Sequence, residues 1–105
     1  MKIHADVLDD LATGAVFLAT GGGGDPYVSL LMTQVTLLER GPAELVSVQD
    51  LADDARVAAI GGVGAPSVGL ELLPSINDAV DALRAFEAHV GYRVDAVVSF
   101  EVGGG

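Results

Sequence analysis

Cysteine and tryptophan are absent from this sequence, and basic residues are scarce, with 5 Lys and Arg against 15 Asp and Glu. Without cysteine the chain has no disulfide, no thiol nucleophile and no thiolate metal ligand. The net charge of −10 argues against a nucleic-acid partner, because binding phosphates needs clustered Lys and Arg. The aromatic residues are 2 Tyr and 3 Phe, so the core must be built from Val, Leu, Ala and Ile.

Long hydrophobic runs are also missing. No uncharged stretch reaches the roughly 20 residues of a membrane span. Asp6, Asp9 and Asp10 occupy the region where a signal peptide needs an apolar run. The composition, 50% hydrophobic and 19% charged, is typical of a globular protein, and 105 residues suit one small domain. We therefore expect a soluble, cytoplasmic protein with a single domain over residues 1–105 and no membrane partner.

Glycine, in contrast, is abundant: the 14 glycines concentrate at 21–24, 61–69 and 103–105. Four glycines in a row predict a loop that has positive φ angles or that another group approaches closely. Asp25 and Pro26 then suit the N-cap and first position of a helix, whose free N–H groups favour an anion or a carbonyl oxygen. The candidate ligand-binding residues in this loop are Gly21, Gly22, Gly23, Gly24 and Asp25.

The same run has a plainer interpretation. A glycine loop before a capped helix is often only a tight connection, and Asp25 would itself occupy the cap and repel anions. The run matches neither the dinucleotide-binding fingerprint nor the phosphate-loop motif, because the required Lys and Ser/Thr do not follow. Both interpretations stay open from the residues alone.

Apolar residues at helical spacing predict three helices. The first covers residues 6–18 with Asp6 as its cap, the alternative being a shorter helix followed by a strand over 15–19. The second runs from Asp25 or Pro26 to Arg40, and the third runs from a capping box at Ser75 and Asp78 to Gly91. The residues expected to be buried are Leu8, Leu11, Ala15 and Leu18 in the first helix, Leu30, Leu31, Val35 and Leu38 in the second, and Ile76, Val80, Leu83 and Val90 in the third.

Strands are predicted over 44–48, 56–60 and 94–100, and a helical turn over 70–73. The last two strands are nearly continuous apolar runs, which are typical of parallel strands covered on both faces. The alternation of strands and helices favours an α/β layered domain with a mostly parallel sheet. Ligands of such sheets bind beyond the carboxyl ends of the strands. If the three glycine clusters converge there, they form one pocket edge of backbone, and further ligand-binding candidates are Gly64, Gly103 and Gly104.

Glu101 is the first candidate for a catalytic residue. It follows the predicted strand 94–100 and precedes a glycine run, a position that suits a general base or a metal ligand. The alternative is a residue at a strand end that only accepts hydrogen bonds from nearby backbone N–H groups. No group of His, Asp and Glu has metal-ligand spacing, and the cofactor stays unknown at this point.

Several motifs together resemble a known family: Gly14-Ala15, Thr20-Gly-Gly-Gly-Gly-Asp-Pro-Tyr27, Gly64-Ala65-Pro66 and Glu101-Val-Gly-Gly-Gly105. From about Asp6 to Gly105 the sequence is similar to the N-terminal region of the S-methyl-thiohydantoin desulfurase-type proteins. The resemblance implies a glycine-loop-rich α/β domain followed by a second domain. It also implies an association with hydantoinase-type enzymes, which process hydantoins, oxoproline and lactams.

Two functions fit these observations. The first is the N-terminal part of a hydrolase or desulfurase that acts on a small cyclic amide, with backbone N–H groups holding its carbonyl and Glu101 activating water. The second is a non-catalytic binding or assembly subunit, whose last strand a partner completes. Because the sequence stops on an apolar strand and a glycine run, we expect a fragment or N-terminal domain that needs a C-terminal domain or partner chain, and an oligomer.

Overall fold

The computed structural model describes residues 1–64 and 75–104, and the chain forms two compact units. The first unit is Met1–Leu51 with Val102–Gly105, and the second is Ala52–Glu101. The single domain expected over residues 1–105 stays a prediction. The predicted turn over 70–73 and most of the glycine loop at 61–69 lie outside the described residues.

The first unit contains strand β1 (Lys2–Ile3), helix α1 (Leu8–Ala19), helix α2 (Tyr27–Arg40) and strand β2 (Ala43–Glu44). Strands β1 and β2 pair in antiparallel fashion. The predicted strand over 44–48 is wrong beyond its first residue, because β1 offers only two residues to pair with and a 3-10 turn begins at Val48.

Helix α1 confirms the helical interpretation of the first segment over a strand at 15–19. Asp6 does not cap it, however, because Asp6 lies in a 3-10 turn and Val7 precedes the helix without a side-chain cap. The expected buried face is also partly wrong: Leu11 is 48% exposed and Leu18 is 67% exposed. The inner stripe consists mainly of small residues: Leu8, Ala12, Ala15 and Ala19.

The start of α2 follows the sequence prediction. The Tyr27 N–H donates to Oδ1 of Asp25 at 2.9 Å, and the Leu30 N–H donates to the Pro26 carbonyl at 2.8 Å. Asp25 therefore caps the first turn, and Pro26 stands where its missing N–H costs nothing. The helix ends at Gly41, whose φ of +91° favours glycine.

The buried face of α2 is rotated from the predicted one. Leu30 is half-buried as expected, but Leu31, Val35 and Leu38 are exposed. The Thr36 hydroxyl donates to the Met32 carbonyl at 2.8 Å, so this threonine is satisfied within its own helix and can lie on the inner side. The other half-buried residues of this helix are Ser29, Met32 and Leu37.

Gly14 lies inside α1, and a Cβ there would meet no atom within 4 Å. We expect Gly14→Ala to raise the free energy of unfolding by about 0.5–1 kcal/mol, because alanine removes the entropic cost of a helical glycine. Urea denaturation measures the change. Gly91→Ala is the matched control, since it also meets open space but has a φ of +79° and should destabilise. A loss of stability for Gly14→Ala would mean that this glycine serves a close contact.

The second unit contains strand β3 (Val57–Ile60), helix α3 (Asp78–Val90) and strand β4 (Ala96–Ser99). Strands β3 and β4 pair in parallel, with Val57 opposite Ala96 and Ile60 opposite Ser99. Helices together with a small parallel sheet confirm the predicted α/β class.

The coverage of both sheet faces is not as expected. Ala58 is buried, but Val97 and Val98, which point to opposite faces, are each about half exposed within the described part of the chain. The apolar runs therefore predicted these strands, but they did not predict how far the two faces of the sheet are covered.

Helix α3 begins with the predicted capping interaction. The Ser75 N–H donates to Oδ2 of Asp78 at 2.9 Å, and the Ser75 hydroxyl accepts the Asn77 N–H at 3.2 Å. On the inner side, Leu83 and Val90 are half-buried as predicted. Ile76 and Val80 are exposed instead, and Glu87 is the buried residue between Leu83 and Val90.

Candidate functional site

Two of the three glycine clusters meet in the first unit. A Cβ built on Gly103 would lie 2.6 Å from the Cα of Gly23, and one built on Gly104 would lie 2.7 Å from the Pro26 nitrogen. A Cβ on Gly104 would also collide with the Gly24 carbonyl oxygen. Only residues without side chains allow this approach, so the close contact predicted for the glycine loop is made by the glycines near the end of the sequence.

The glycine loop also takes the backbone conformations that its composition predicts. Gly21 has a φ of +97°, and Gly23 and Gly24 each have a φ of +78°. Gly22 has no positive φ, and its N–H donates to the Ala19 carbonyl at 3.0 Å. The loop therefore closes α1 and turns the chain into the capped start of α2.

An open groove of about 250 Å³ adjoins these glycines, between α1 and α2. Gly103, Gly104 and Pro26 form part of its lining, and none of its lining residues is charged. The two helices supply its remaining walls: Leu8, Leu11, Ala12 and Ala15 of α1, and Ser29, Leu30 and Thr33 of α2.

A second open groove, of about 460 Å³, shares Ala12, Pro26 and Leu30 with the first. Asp9 and Asp25 contribute its carboxylates, and Thr13, Val16 and Tyr27 complete its lining. No Lys or Arg lines either groove. Charge in this part of the first unit is therefore negative, and it would repel an anionic ligand.

Gly64 and Glu101 belong to the second unit. Gly64 is exposed, and a Cβ there would meet nothing within 4 Å among the described residues. Glu101 is exposed, and its backbone carbonyl accepts the Ser99 hydroxyl at 2.5 Å. The ligand-binding role of Gly64 and the catalytic role of Glu101 stay predictions.

Glu87 is the buried polar residue that the sequence did not single out. Its Oε1 accepts the Val94 N–H at 2.9 Å, and its Oε2 accepts NH1 of Arg84 at 2.9 Å and NH1 of Arg93 at 3.3 Å. The Val94 hydrogen bond, helped by the two guanidinium groups, holds the pKa of Glu87 below its ordinary value, although burial acts in the opposite direction. The sequence did contain a sign that Glu87 is buried, because it lies at helical spacing between the apolar residues Leu83 and Val90.

These bonds make Glu87 a structural residue that ties the end of α3 to the segment entering β4. The same segment is held to β3, because the Arg56 N–H donates to Oδ2 of Asp95 at 2.9 Å and the Arg56 guanidinium lies 4.3 Å from the centre of the Tyr92 ring. Both carboxylate oxygens of Glu87 are engaged, so this carboxylate is not free to hold a ligand.

Among residues 1–64 and 75–104 no group of three or more His, Asp or Glu side chains is arranged to hold a metal ion. Within those ranges no helix has the length and apolar character needed to span a bilayer.

Comparison with known protein families gives a match over most of the chain. The family model described as the S-Me-THD-like, N-terminal domain matches residues 6–105. No curated protein and no solved structure matches the chain. The matched range includes both grooves and all of the glycine clusters.

Proposed function

The chain belongs to the S-Me-THD-like N-terminal domain family, and from this premise we propose that it is the substrate-holding part of a hydrolase that acts on small cyclic amides, such as hydantoins and S-methyl-thiohydantoins. On an S-methyl-thiohydantoin, water would add to the ring carbon that bears sulfur, and methanethiol would leave with a proton. The remaining carbon–oxygen bond would become the carbonyl of a hydantoin.

The observation that carries the proposal is the contact between the glycine loop and Gly103 and Gly104 beside an uncharged groove. Backbone at such an edge can bring N–H groups close to a ring carbonyl without interference from side chains. The N–H groups of Gly23 and Gly24 donate to no acceptor within the described residues, so they are available for an oxygen that gains negative charge.

Glu101 is the group proposed to activate water. It follows strand β4 and precedes the glycine run, a position that suits a general base. A general base at this point would contribute roughly a hundredfold or more to the rate.

The test is turnover by the protein that carries this domain, with hydantoin, a 5-alkyl hydantoin and the corresponding S-methyl-thiohydantoin as substrates. We expect Glu101→Gln to lower kcat about a hundredfold or more with little change in KM, because the variant keeps the shape and loses the base. Glu39→Gln, an exposed change on α2, is the matched control. Equal turnover by Glu101→Gln and the wild type on all three substrates would remove Glu101 from the mechanism.

A second function, a non-catalytic assembly subunit, is favoured by the apolar side chains that the two helices of the first unit leave in contact with solvent. Phe17 is 81% exposed and Leu38 is 72% exposed. If these side chains mediate assembly, Phe17→Ser and Leu38→Ser should lower the sedimentation mass of the native protein and leave ligand binding intact. An unchanged mass would count against this function.

A further inference from the structure

The groove between α1 and α2 carries two hydroxyl groups that the fold itself does not use. Ser29 and Thr33 both line it, one helical turn apart, so their Cβ atoms are roughly 5–6 Å from each other. Neither hydroxyl has a hydrogen-bond partner within the described residues. Two threonines elsewhere in the same helices behave differently, since Thr13 donates to the Asp9 carbonyl and Thr36 donates to the Met32 carbonyl.

The remainder of the groove is apolar and small. Leu8, Leu11 and Leu30 supply its bulk, while Ala12 and Ala15 leave space between the helices. A volume of about 250 Å³ admits a small molecule and is too little for a folded partner. Binding of an aliphatic group against these walls is favourable, because it removes apolar surface from water.

The charges around the groove restrict the kind of ligand that can bind. The groove has no charged lining residue, and Asp9 and Asp25 line the groove next to it. An anionic substituent would lose its hydration without meeting a cation and would be repelled by these carboxylates. A neutral ligand meets neither cost.

We infer that this groove makes the domain selective for cyclic amides with a small, uncharged aliphatic substituent, and that Ser29 and Thr33 hydrogen-bond the polar atoms of the ring. This inference rests on the proposed function and adds the substrate class and two specificity-determining residues. The spacing of the two hydroxyls suits two separate polar atoms of one ring, and the leucine side chains contact the substituent.

The experiment is isothermal titration of the full protein with three probes: unsubstituted hydantoin, 5-isobutylhydantoin and 5-(2-carboxyethyl)hydantoin. We expect the isobutyl probe to bind at least tenfold more tightly than the carboxyethyl probe. Thr33→Val combined with Ser29→Ala should weaken the isobutyl and unsubstituted probes about tenfold, because both lose the bonds to the ring. Thr36→Val is the matched control, since the Thr36 hydroxyl is satisfied inside α2 and Thr36 does not line the groove.

A second variant tests the contact between the groove and the aliphatic substituent separately from the hydrogen bonds to the ring. Ala15→Leu should take up space in the groove and weaken the isobutyl probe at least tenfold, and it should weaken the smaller unsubstituted ring by a lesser factor. Ala85→Leu, at an exposed position of α3, controls for the same replacement. Circular dichroism of each variant confirms that it is folded.

The outcomes separate this inference from the proposed function. Equal affinity for the isobutyl and carboxyethyl probes, or wild-type affinity in the Ser29 and Thr33 double variant, overturns the inference while cyclic-amide binding stands. If no hydantoin or S-methyl-thiohydantoin binds the folded wild-type protein, the proposed function fails and the inference fails with it.

Discussion

Gly23→Ala is expected to lower the free energy of unfolding by about 3 kcal/mol. Two costs add at this position. The φ of +78° is unfavourable for a residue with a Cβ, and that Cβ would collide with the Cα of Gly103, which is backbone and cannot rotate away. Urea denaturation followed by far-UV circular dichroism measures the change.

The neighbouring glycines provide the controls. Gly24→Ala has the same φ of +78° but meets open space, so it should cost only about 1–2 kcal/mol. Gly22 has no positive φ, and its Cβ would make an ordinary contact 3.4 Å from the Ala19 carbonyl oxygen, so Gly22→Ala should be nearly neutral. If Gly23→Ala and Gly24→Ala cost the same, the contact between the glycine loop and Gly103 does not contribute to stability.

This series also bears on function. If the glycine contact shapes the groove, Gly23→Ala should weaken hydantoin binding under conditions where the variant remains folded, and Gly22→Ala should not. A Gly23→Ala protein that is folded and binds hydantoins with wild-type affinity would show that the contact is only a tight connection, which is the plainer interpretation of the glycine run.

The sequence predicted the helices better than their buried faces, and α1 shows the reason. Helical spacing placed Leu8, Leu11, Ala15 and Leu18 on the inner side; Leu8 and Ala15 lie there, but Leu11 and Leu18 are exposed. The residues on the inner side that the spacing did not predict are small, since Ala12 and Ala19 are half-buried there. Which apolar residue faces the neighbouring helix depends on the distance between the helices, and periodicity within one helix does not contain that distance.

Strand lengths show the same limit. Val57–Ile60 and Ala96–Ser99 were recognisable because each is an apolar run with turn residues beside it. The segment after Ala43 was expected to be longer, but a strand extends only as far as its partner, and that partner is the short β1. Pairing of this kind joins residues far apart in the sequence and has no local signal.

The candidate site was predictable in part. Runs of glycine with no packing role indicated where backbone approaches backbone, and the contact of Gly23 with Gly103 follows that expectation. The unpartnered hydroxyls of Ser29 and Thr33 could not be predicted, because Thr36 has the same chemistry in the same helix and bonds inward. The sequence shows which residues carry a hydroxyl group, but the packing of α1 against α2 determines which of these hydroxyls line the groove.

Glu87→Ala is expected to lower the thermal midpoint by several degrees, with Glu87→Gln in between. The alanine variant leaves the Val94 N–H without its acceptor and leaves Arg84 and Arg93 without their shared carboxylate. Both arginines are largely exposed, so their ion pairs contribute less than the bond to the Val94 N–H. Differential scanning calorimetry measures the shift, and Glu39→Ala, an exposed change in α2, should leave the midpoint unchanged.

The pH dependence of this effect identifies the carboxylate as its source. The folded state lowers the pKa of Glu87 below the ordinary value of 4.5, so the unfolded chain takes up this proton first as the pH falls. The stabilisation is therefore complete above pH 4.5 and is lost as the pH falls through the lower pKa of the folded state. The stability difference between the wild type and Glu87→Gln should be constant near neutral pH and shrink in acid. A difference that stayed the same down to about pH 2 would show that the charge of Glu87 does not stabilise the fold, and that the glutamine variant differs from the wild type only in packing.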